Sequence, residues 1–293
     1  MAHLLAGAAR QGQAARDDGD VTDQDIASPS NPHIRAAAQL RNRRDRERTG
    51  LTIIDGAREL LRALDAGVTV EDVFVCDALV RSDDAREAVG AVTGRATRVL
   101  QTSRAAFEKV AFGDRAEGIV AVVRVPRAEL SDLKLPPDPL VGVVEGIEKP
   151  GNLGAILRSA DGAAVDALIA ADPRTDLFNP NTIRASVGTA FTVPLATAST
   201  EATLLFLRAR GMRIIAARVD AETDYIDADL RGPLAIVLGA EAEGLSTAWS
   251  GTDVTAVRLP MLGVGDSLNV SVAAAILLYE ARRQRGQGVR RTM

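Results

Sequence analysis

The chain is poor in the side chains that most enzymes use for nucleophilic or metal chemistry. It has one cysteine, Cys76, and two histidines, His3 and His33. A lone cysteine forms no internal disulfide, and Cys76 ends the apolar, strand-like run VEDVFVC, which marks it as a buried thiol. Both histidines lie near the N-terminus, outside any segment patterned as a catalytic core. A Ser-His-Asp or Cys-His hydrolase needs an imidazole, and a zinc site needs clustered His or Cys ligands. Neither can be assembled here, and no metal site is expected. No run of about 18 uninterrupted apolar residues occurs, and the N-terminus lacks the apolar core and cleavage site of a signal peptide. A cytoplasmic protein without a membrane span is expected. Also missing are a G-x-G-x-x-G opening a first βα turn and a G-x-x-x-x-G-K-[ST], which sets aside dinucleotide dehydrogenases and P-loop NTPases. Chemistry is left to Asn, Ser, Glu, Arg and backbone groups.

What is present suits two domains: 293 residues, of which 46% are hydrophobic. The formal net charge of −4 hides an asymmetry along the chain. Residues 1–30 carry Asp17, Asp18, Asp20, Asp23 and Asp25 against Arg10 and Arg16, the composition of a disordered acidic tail. The sign then reverses through Arg35, Arg41, Arg43, Arg44, Arg46 and Arg48, and the C-terminus adds Arg282, Arg283, Arg285, Arg290 and Arg291. Two basic clusters on an acidic protein suit a localised phosphate-binding track, although a solvated helix face has the same charge pattern.

Periodicity predicts one helix over HIRAAAQLRNRRDRER from Pro32, a strand at 51–55, a helix ended by Gly67, a strand through VEDVFVC, helices opened by Ser82 and Ser103, and a buried strand at 118–125. Pro136, Pro137 and Pro139 then interrupt the pattern. They place a first domain at 31–126, a linker at 127–139, a second domain at 140–286 and a basic tail at 287–293. The second domain opens with a βαβ unit: the strand 140–146, the loop EKPGN, the helix LGAILRSADGAA and the strand DALIAA. Further strands are predicted at 213–220, 234–239 and 255–260, with helices at TEATLLFLRARG and NVSVAAAILLYEARRQR. Apolar strands alternating with helices imply a mostly parallel sheet covered on both faces, whose ligands gather at the carboxyl ends of the strands.

Three of those strands end in distinctive loops. The first carries Pro150, Gly151, Asn152 and Gly154 with Arg158 on the following helix; the second is Gly239-Ala-Glu241-Ala-Glu-Gly244; the third runs from Leu259-Pro-Met261 to Asp266-Ser267-Leu268-Asn269. Each alone reads equally as a turn, a helix cap or a strand stop.

Together, in this order and spacing across residues 140–285, they resemble the SpoU or TrmH branch of the SPOUT RNA methyltransferases. Asn152, Gly154 and Arg158 match that family's first motif; Gly239, Glu241 and Gly244 match its second; Leu259-Pro260-Met261 with Ser267-Leu268-Asn269-Val270-Ser271 match its third. Ala164, where many relatives have a glycine, and Glu148-Lys149, where an Asp is common, depart from the pattern at positions not expected to touch the chemistry. The first domain is similar to the L30e/L7Ae-like α/β substrate-binding domain of rRNA-modifying members, with Asp55 where relatives often have Glu.

The resemblance implies an α/β fold: a SPOUT domain with a parallel sheet and a trefoil knot, preceded by that small α/β domain. It implies S-adenosyl-L-methionine as cofactor, cradled by Leu238, Gly239, Leu259, Met261, Leu268 and Asn269. It implies methyl transfer to a ribose 2′-hydroxyl of RNA, with 23S-type ribosomal RNA favoured by the globular first domain. A tRNA substrate, or an RNA-binding protein of the same fold without activity, is the alternative. Arg158 stands at the family's catalytic arginine, with Asn152, Glu241, Ser267 and Asn269 shaping the site. A guanidinium normally stays protonated, so Arg158 either accepts the hydroxyl proton with help from an RNA phosphate or positions that phosphate and stabilises the alkoxide. Arg35, Arg41, Arg43, Arg44 and Arg46 are the expected RNA contacts. Active sites of the family are completed across a homodimer, for which Ile276, Leu277, Leu278 and Tyr279 on the last helix offer apolar surface.

Overall fold

The computed structural model describes residues 24–112, 117–240 and 243–286; residues 1–23 of the predicted 1–30 tail, the predicted tail 287–293 and Glu241 lie outside the described residues, while residues 24–26 of the first tail form a strand instead of the expected disorder. The first half contains β1 (Gln24–Ile26), α1 (Pro32–Gln39), α2 (Arg43–Thr49), β2 (Leu51–Asp55), α3 (Ala57–Asp65), β3 (Val70–Val75), α4 (Asp83–Val92), β4 (Ala96–Thr102), α5 (Arg104–Val110) and β5 (Ile119–Arg124). Its sheet has the order β1-β4-β3-β5-β2, with β1, β4 and β3 parallel and β5 antiparallel to both of its neighbours. Ser82 and Ser103 act as the expected N-caps, accepting from Ala85 N and Ala106 N. Cys76 is buried beside Phe74, Leu100 and Phe107.

The single helix predicted from Pro32 is in fact two. Leu40 turns into the core, and the chain breaks before Arg43. The carbonyls of Leu40 and Arg41, which a continuous helix would have bonded internally, instead accept from Arg46 Nη1, each at 2.8 Å.

The second half contains β6 (Leu140–Glu145), α6 (Pro150–Gly162), β7 (Ala167–Ala171), α7 (Pro180–Ala185), β8 (Leu195–Ala198), α8 (Thr200–Ala209), β9 (Arg213–Ala217), β10 (Thr223–Asp224), β11 (Leu234–Leu238), β12 (Val254–Arg258) and α9 (Val270–Gln284). Its strands run β10-β12-β9-β11-β6-β7-β8, every pair parallel. Every residue of β6 and β11, side by side at the centre, is buried. That is the signature of a strand covered on both faces. Leu153, Ile156, Leu277 and Leu278 pack on one face, and Leu204, Leu207 and Trp249 on the other. Each fully buried aliphatic side chain of this kind contributes about 1.5–3 kcal/mol relative to exposure.

The chain winds outward from β6 through β7 to β8, then crosses to the far side to begin β9. Strand order therefore reverses between β6 and β11, and the loops after them leave the same edge of the sheet. Such a reversal opens a crevice at the carboxyl ends of the strands.

The proline-rich linker is docked against the second sheet. Ala128 O accepts from Thr197 N at 2.7 Å on β8, and Leu133 is buried in the core. The two halves also meet directly: Thr52 Oγ1 donates to Phe178 O at 2.8 Å, and Arg62 Nη1 donates to Val187 O. Gly188, at φ +81°, passes so close that a Cβ there would lie 2.9 Å from the Cα of Glu59. Among the described residues, no helix is long and apolar enough to cross a membrane, and no His, Cys, Asp and Glu cluster could hold a metal ion.

Candidate active site

The three motif loops leave β6, β11 and β12 at the carboxyl edge, where the second and third line a cavity of about 500 Å³ to which the first contributes no residue. Five of the six residues expected to cradle a cofactor, Leu238, Gly239, Leu259, Met261 and Leu268, line it, together with Ser267. Asn269 lies just outside the lining. The loop after β9 contributes Ala217 to Asp220, which the sequence reading missed. Their signal is the charged pair Arg218 and Asp220 directly after an apolar strand, informative only once β9 is known to neighbour β11. The Arg218 guanidinium holds the Asp220 carboxyl below its ordinary range.

The glycines of the second motif let this loop close on itself. A Cβ on Gly239 would sit 2.2 Å from the carbonyl carbon of Gly244, and Gly244, at φ +67°, donates its N–H to Ala240 O at 2.9 Å. Beneath the loop, Glu145 at the end of β6 is 8% exposed, yet it accepts from Thr200 Oγ1, Ser246 N and Ser246 Oγ, each at 2.7 Å. Burial pushes its carboxyl up, but the hydrogen bonds from Ser246 and Thr200 outweigh burial and hold it below the ordinary glutamate range. The base of the second loop is thereby tied to β6 and α8.

The first and third loops are joined through their asparagines. Asn269 Nδ2 donates to Asn152 Oδ1 at 3.2 Å, while Asn269 Oδ1 accepts from Ser271 N at 2.9 Å and caps α9. Asn152 is not a cap: Lys149 holds that position and Pro150 opens the helix, so Asn152 sits in the first turn facing Asn269. Gly154 serves packing, since a Cβ there would meet the Ala185 Cβ at 2.5 Å and Ser186 N at 2.8 Å. The short Asn-x-Gly motif thus combines a polar contact with a close crossing of α6 over α7.

Arg158 is placed elsewhere. It is exposed on α6, with no side-chain hydrogen bond or ion pair to described residues, and lines a separate cavity of about 370 Å³ with Arg184, Asp55, Glu59 and Glu117. That cavity shares no lining residue with the larger one. Asp55 Oδ2 accepts from Phe112 N at 2.8 Å and lies 3.7 Å from Arg184 Nη1. Burial pushes the Glu59 carboxyl up, and nearby Glu117 adds to the shift. Arg184 is a second residue that sequence reading missed; it lies in the last turn of α7, a helix capped by Asn179 and opened by Pro180 that, at only six residues, is too short to show a period.

The five expected RNA-contacting arginines divide. Arg35 and Arg44 are exposed, and their side chains make no hydrogen bond or ion pair to described residues. Arg41 Nη2 donates to the carbonyls of Lys109, Val110 and Ala111 at the end of α5. Arg43 pairs with Glu47 at 2.7 Å and donates to Arg174 O at 3.2 Å. Arg46 corrects the expectation: it is 4% exposed, bonded to the Leu40 and Arg41 carbonyls and paired with Asp176 of the second half. Its donors are consumed inside the molecule. The expectation for α9 also needs correcting, because Leu277 and Leu278 are buried in the chain's own core. The exposed apolar side chains nearby are Val272 and Tyr279, with Leu262 and Val264 on the preceding loop.

Comparison with known proteins agrees with this geometry. The SpoU rRNA Methylase family model matches residues 139–279, and an MRM3-like substrate binding domain matches residues 31–121. The chain is 39% identical over 198 residues to the 23S rRNA (guanosine-2′-O-)-methyltransferase RlmB of Ralstonia nicotianae, covering 64% of this chain and 78% of that one. It is 32% identical to a 23S rRNA (uridine(2479)-2′-O)-methyltransferase of Streptomyces viridochromogenes, covering 86% and 89%. Among solved structures, an AdoMet-bound rRNA methyltransferase from Sinorhizobium meliloti superimposes with a TM-score of 0.80 at 26% identity, covering 89% and 97%.

Proposed function

The chain belongs to the SpoU rRNA Methylase family, and from that premise we propose that it transfers a methyl group from S-adenosyl-L-methionine to a ribose 2′-hydroxyl of 23S-type ribosomal RNA in the cytoplasm. One observation carries the reading. Five residues expected to hold the cofactor, drawn from the end of β11 and the two loops after β11 and β12, line one cavity at the carboxyl edge of a parallel sheet.

The cavity suits that cofactor. Leu238, Leu259, Met261 and Leu268 give apolar walls for an adenine and a thioether-like chain, and Gly239 leaves backbone uncovered beside them. When bound, the sulfonium supplies a methyl already activated for displacement, so the protein must orient the ribose and deal with its proton. Asn152 and Asn269, bonded to each other, join the first loop to the third beside the cavity, and Ser267 adds a hydroxyl to its lining. Arg158 positions an RNA phosphate and stabilises negative charge developing at O2′. The loops after β11 and β12 form the family's trefoil knot, and residues 31–126 present the RNA.

Within one chain Arg158 faces a different cavity from the one assigned to the cofactor. A second copy supplies it: the exposed Leu262, Val264, Val272 and Tyr279, on the third loop and α9, form the apolar face on which two copies pair.

Incubation with radiolabelled S-adenosyl-L-methionine and unmodified rRNA or tRNA transcripts tests the reaction. Label recovered as a 2′-O-methyl nucleoside from rRNA is expected. Label confined to tRNA would move the substrate assignment. Cofactor binding with no transfer to either RNA would favour an RNA-binding role without catalysis.

A further inference from the structure

Next to the large cavity lies a smaller one of about 230 Å³, lined by Ile147, Glu148, Lys149, Asn152, Arg174, Ala240 and Glu243. The two share Ala240 and Glu243, and Asn152, bonded to Asn269, stands between them. A ribose whose 2′-oxygen reaches the shared wall from outside the large cavity would carry its base into the small one.

Arg174 bridges the small cavity. Its Nη2 donates to Glu243 Oε2 at 2.6 Å and its Nη1 to Glu243 Oε1 at 3.2 Å, while Nη1 also donates to Glu148. The backbone of Arg174 is held at both ends: its N–H donates to Ile147 O at 2.9 Å, and its carbonyl accepts from Arg43 Nη1 at 3.2 Å. The side chain is about half exposed, as are those of Glu148 and Glu243, so these pairs stand in high dielectric and exchange partners readily. The site is therefore a fixed backbone carrying an adaptable row of charged groups: acceptor, donor, acceptor. Ile147 and Ala240 add apolar surface for the face of a ring.

We propose that Glu148, Arg174 and Glu243 read the base of the target nucleotide and select guanine. This rests on the methyltransferase reading above and deepens it. Carboxylates only accept hydrogen bonds and a guanidinium only donates. Guanine is the base with two adjacent donors, N1–H and the 2-amino group, on one edge, and with O6 and N7 placed for bidentate contact to an arginine. Uracil presents one N–H between two carbonyls, and adenine and cytosine each set an amino group beside an accepting ring nitrogen. Entry of guanine lets the glutamates exchange Arg174 for the base's donors while Arg174 turns to O6 and N7, so no charge is left unpaired. Adenine and cytosine offer only an amino group and uracil only one N–H, so with each of them one carboxylate finds no adjacent donor on the base. The ribosomal target must be unstacked to reach the pocket.

The test uses an rRNA transcript containing the mapped target nucleotide, made in four versions that differ only in that base, with wild-type protein, Arg174→Ala, Arg174→Lys and Glu148→Gln. Cofactor affinity is measured for each protein as a control for folding. Wild type is expected to favour the guanosine transcript in kcat/KM by about tenfold or more, as a bidentate base contact would give. In Arg174→Ala the preference should fall to about threefold or less, with cofactor affinity unchanged and kcat on the guanosine transcript less affected than KM. Arg174→Lys and Glu148→Gln should fall between. Preference for another base, or full guanosine preference in Arg174→Ala, would overturn the pocket while ribose methylation stands. Absence of ribose label with every transcript would overturn the methyltransferase reading, and the pocket with it.

Discussion

Glu145 keeps its charge at the buried end of β6 because donors from Thr200 and Ser246, on two other segments, converge on it. Its folded-state acidity lies below the ordinary range, so its contribution to stability is present above the unfolded value of about 4.3 and is lost as pH falls through the folded value. Glu145→Gln should therefore cost about 1–3 kcal/mol of unfolding free energy near neutral pH, a difference that shrinks as pH drops below about 4. Urea titrations of both proteins from pH 7 to pH 3 measure it; equal stability across that range would show that the three hydrogen bonds hold nothing. Sequence reading gave no warning of this residue, because a single Glu ending an apolar run does not reveal that two hydroxyls from remote segments will meet it. Gly239 and Gly154 were visible as motif letters, and the structure adds a packing reason for each: one lets a loop fold on itself, the other lets two helices cross. Nor did Glu148 look like part of a site, since its partner Arg174 lies beyond β7.

At the scale of elements, long apolar periods were readable and short or polar ones were not. The strands β6, β9, β11 and β12 and the helices α6, α8 and α9 fall where periodicity puts them, within a few residues. The strand β4, with Thr97, Arg98 and Gln101 among its residues, carries too little apolar pattern, and α7, β8 and β10 are each six residues or shorter. The break between α1 and α2 was hidden for another reason. RNRRDRER is an acceptable helical surface, and only the burial of Leu40 and Arg46 ends it. Arg46 then joins α2 to Asp176, so this element is held across the two halves by an ion pair whose arginine is buried and whose carboxylate is partly exposed. Arg46→Ala should lower unfolding free energy by about 3–5 kcal/mol, because it leaves a carboxylate and two carbonyls without their donor. Arg44→Ala, two residues away and exposed, should stay within about 0.5 kcal/mol of wild type and instead weaken RNA binding at low salt. Chemical denaturation of both variants separates the roles; equal, small losses would return Arg46 to the surface.

For the whole molecule, the location of the site followed from order alone. Three loops at the carboxyl ends of strands in a parallel sheet must meet at one edge, and the strand reversal between β6 and β11 makes a crevice there. What order could not show is that Arg158, on the helix after the first loop, faces the first half of the chain and a different cavity. Helix rotation decides this, and that rotation is set by Gly154 packing on Ala185 and by the apolar face of α6 in the core. The proposed reaction therefore uses two copies: the cofactor loops of one and Arg158 of the other. Arg158→Ala and Leu268→Asp should each abolish methylation, the first by removing the arginine and the second by putting a charge into the cofactor cavity.

The most direct test is transfer of radiolabel to rRNA ribose by each variant alone and by the two co-expressed in one cell. In mixed dimers one of the two sites has both an intact cavity and an intact Arg158, so activity should return to roughly a quarter of wild type. Co-expressed variants as inactive as either alone, beside an active wild type, would contradict a site shared between copies; a wild type that places no label in rRNA ribose would contradict the assigned reaction itself.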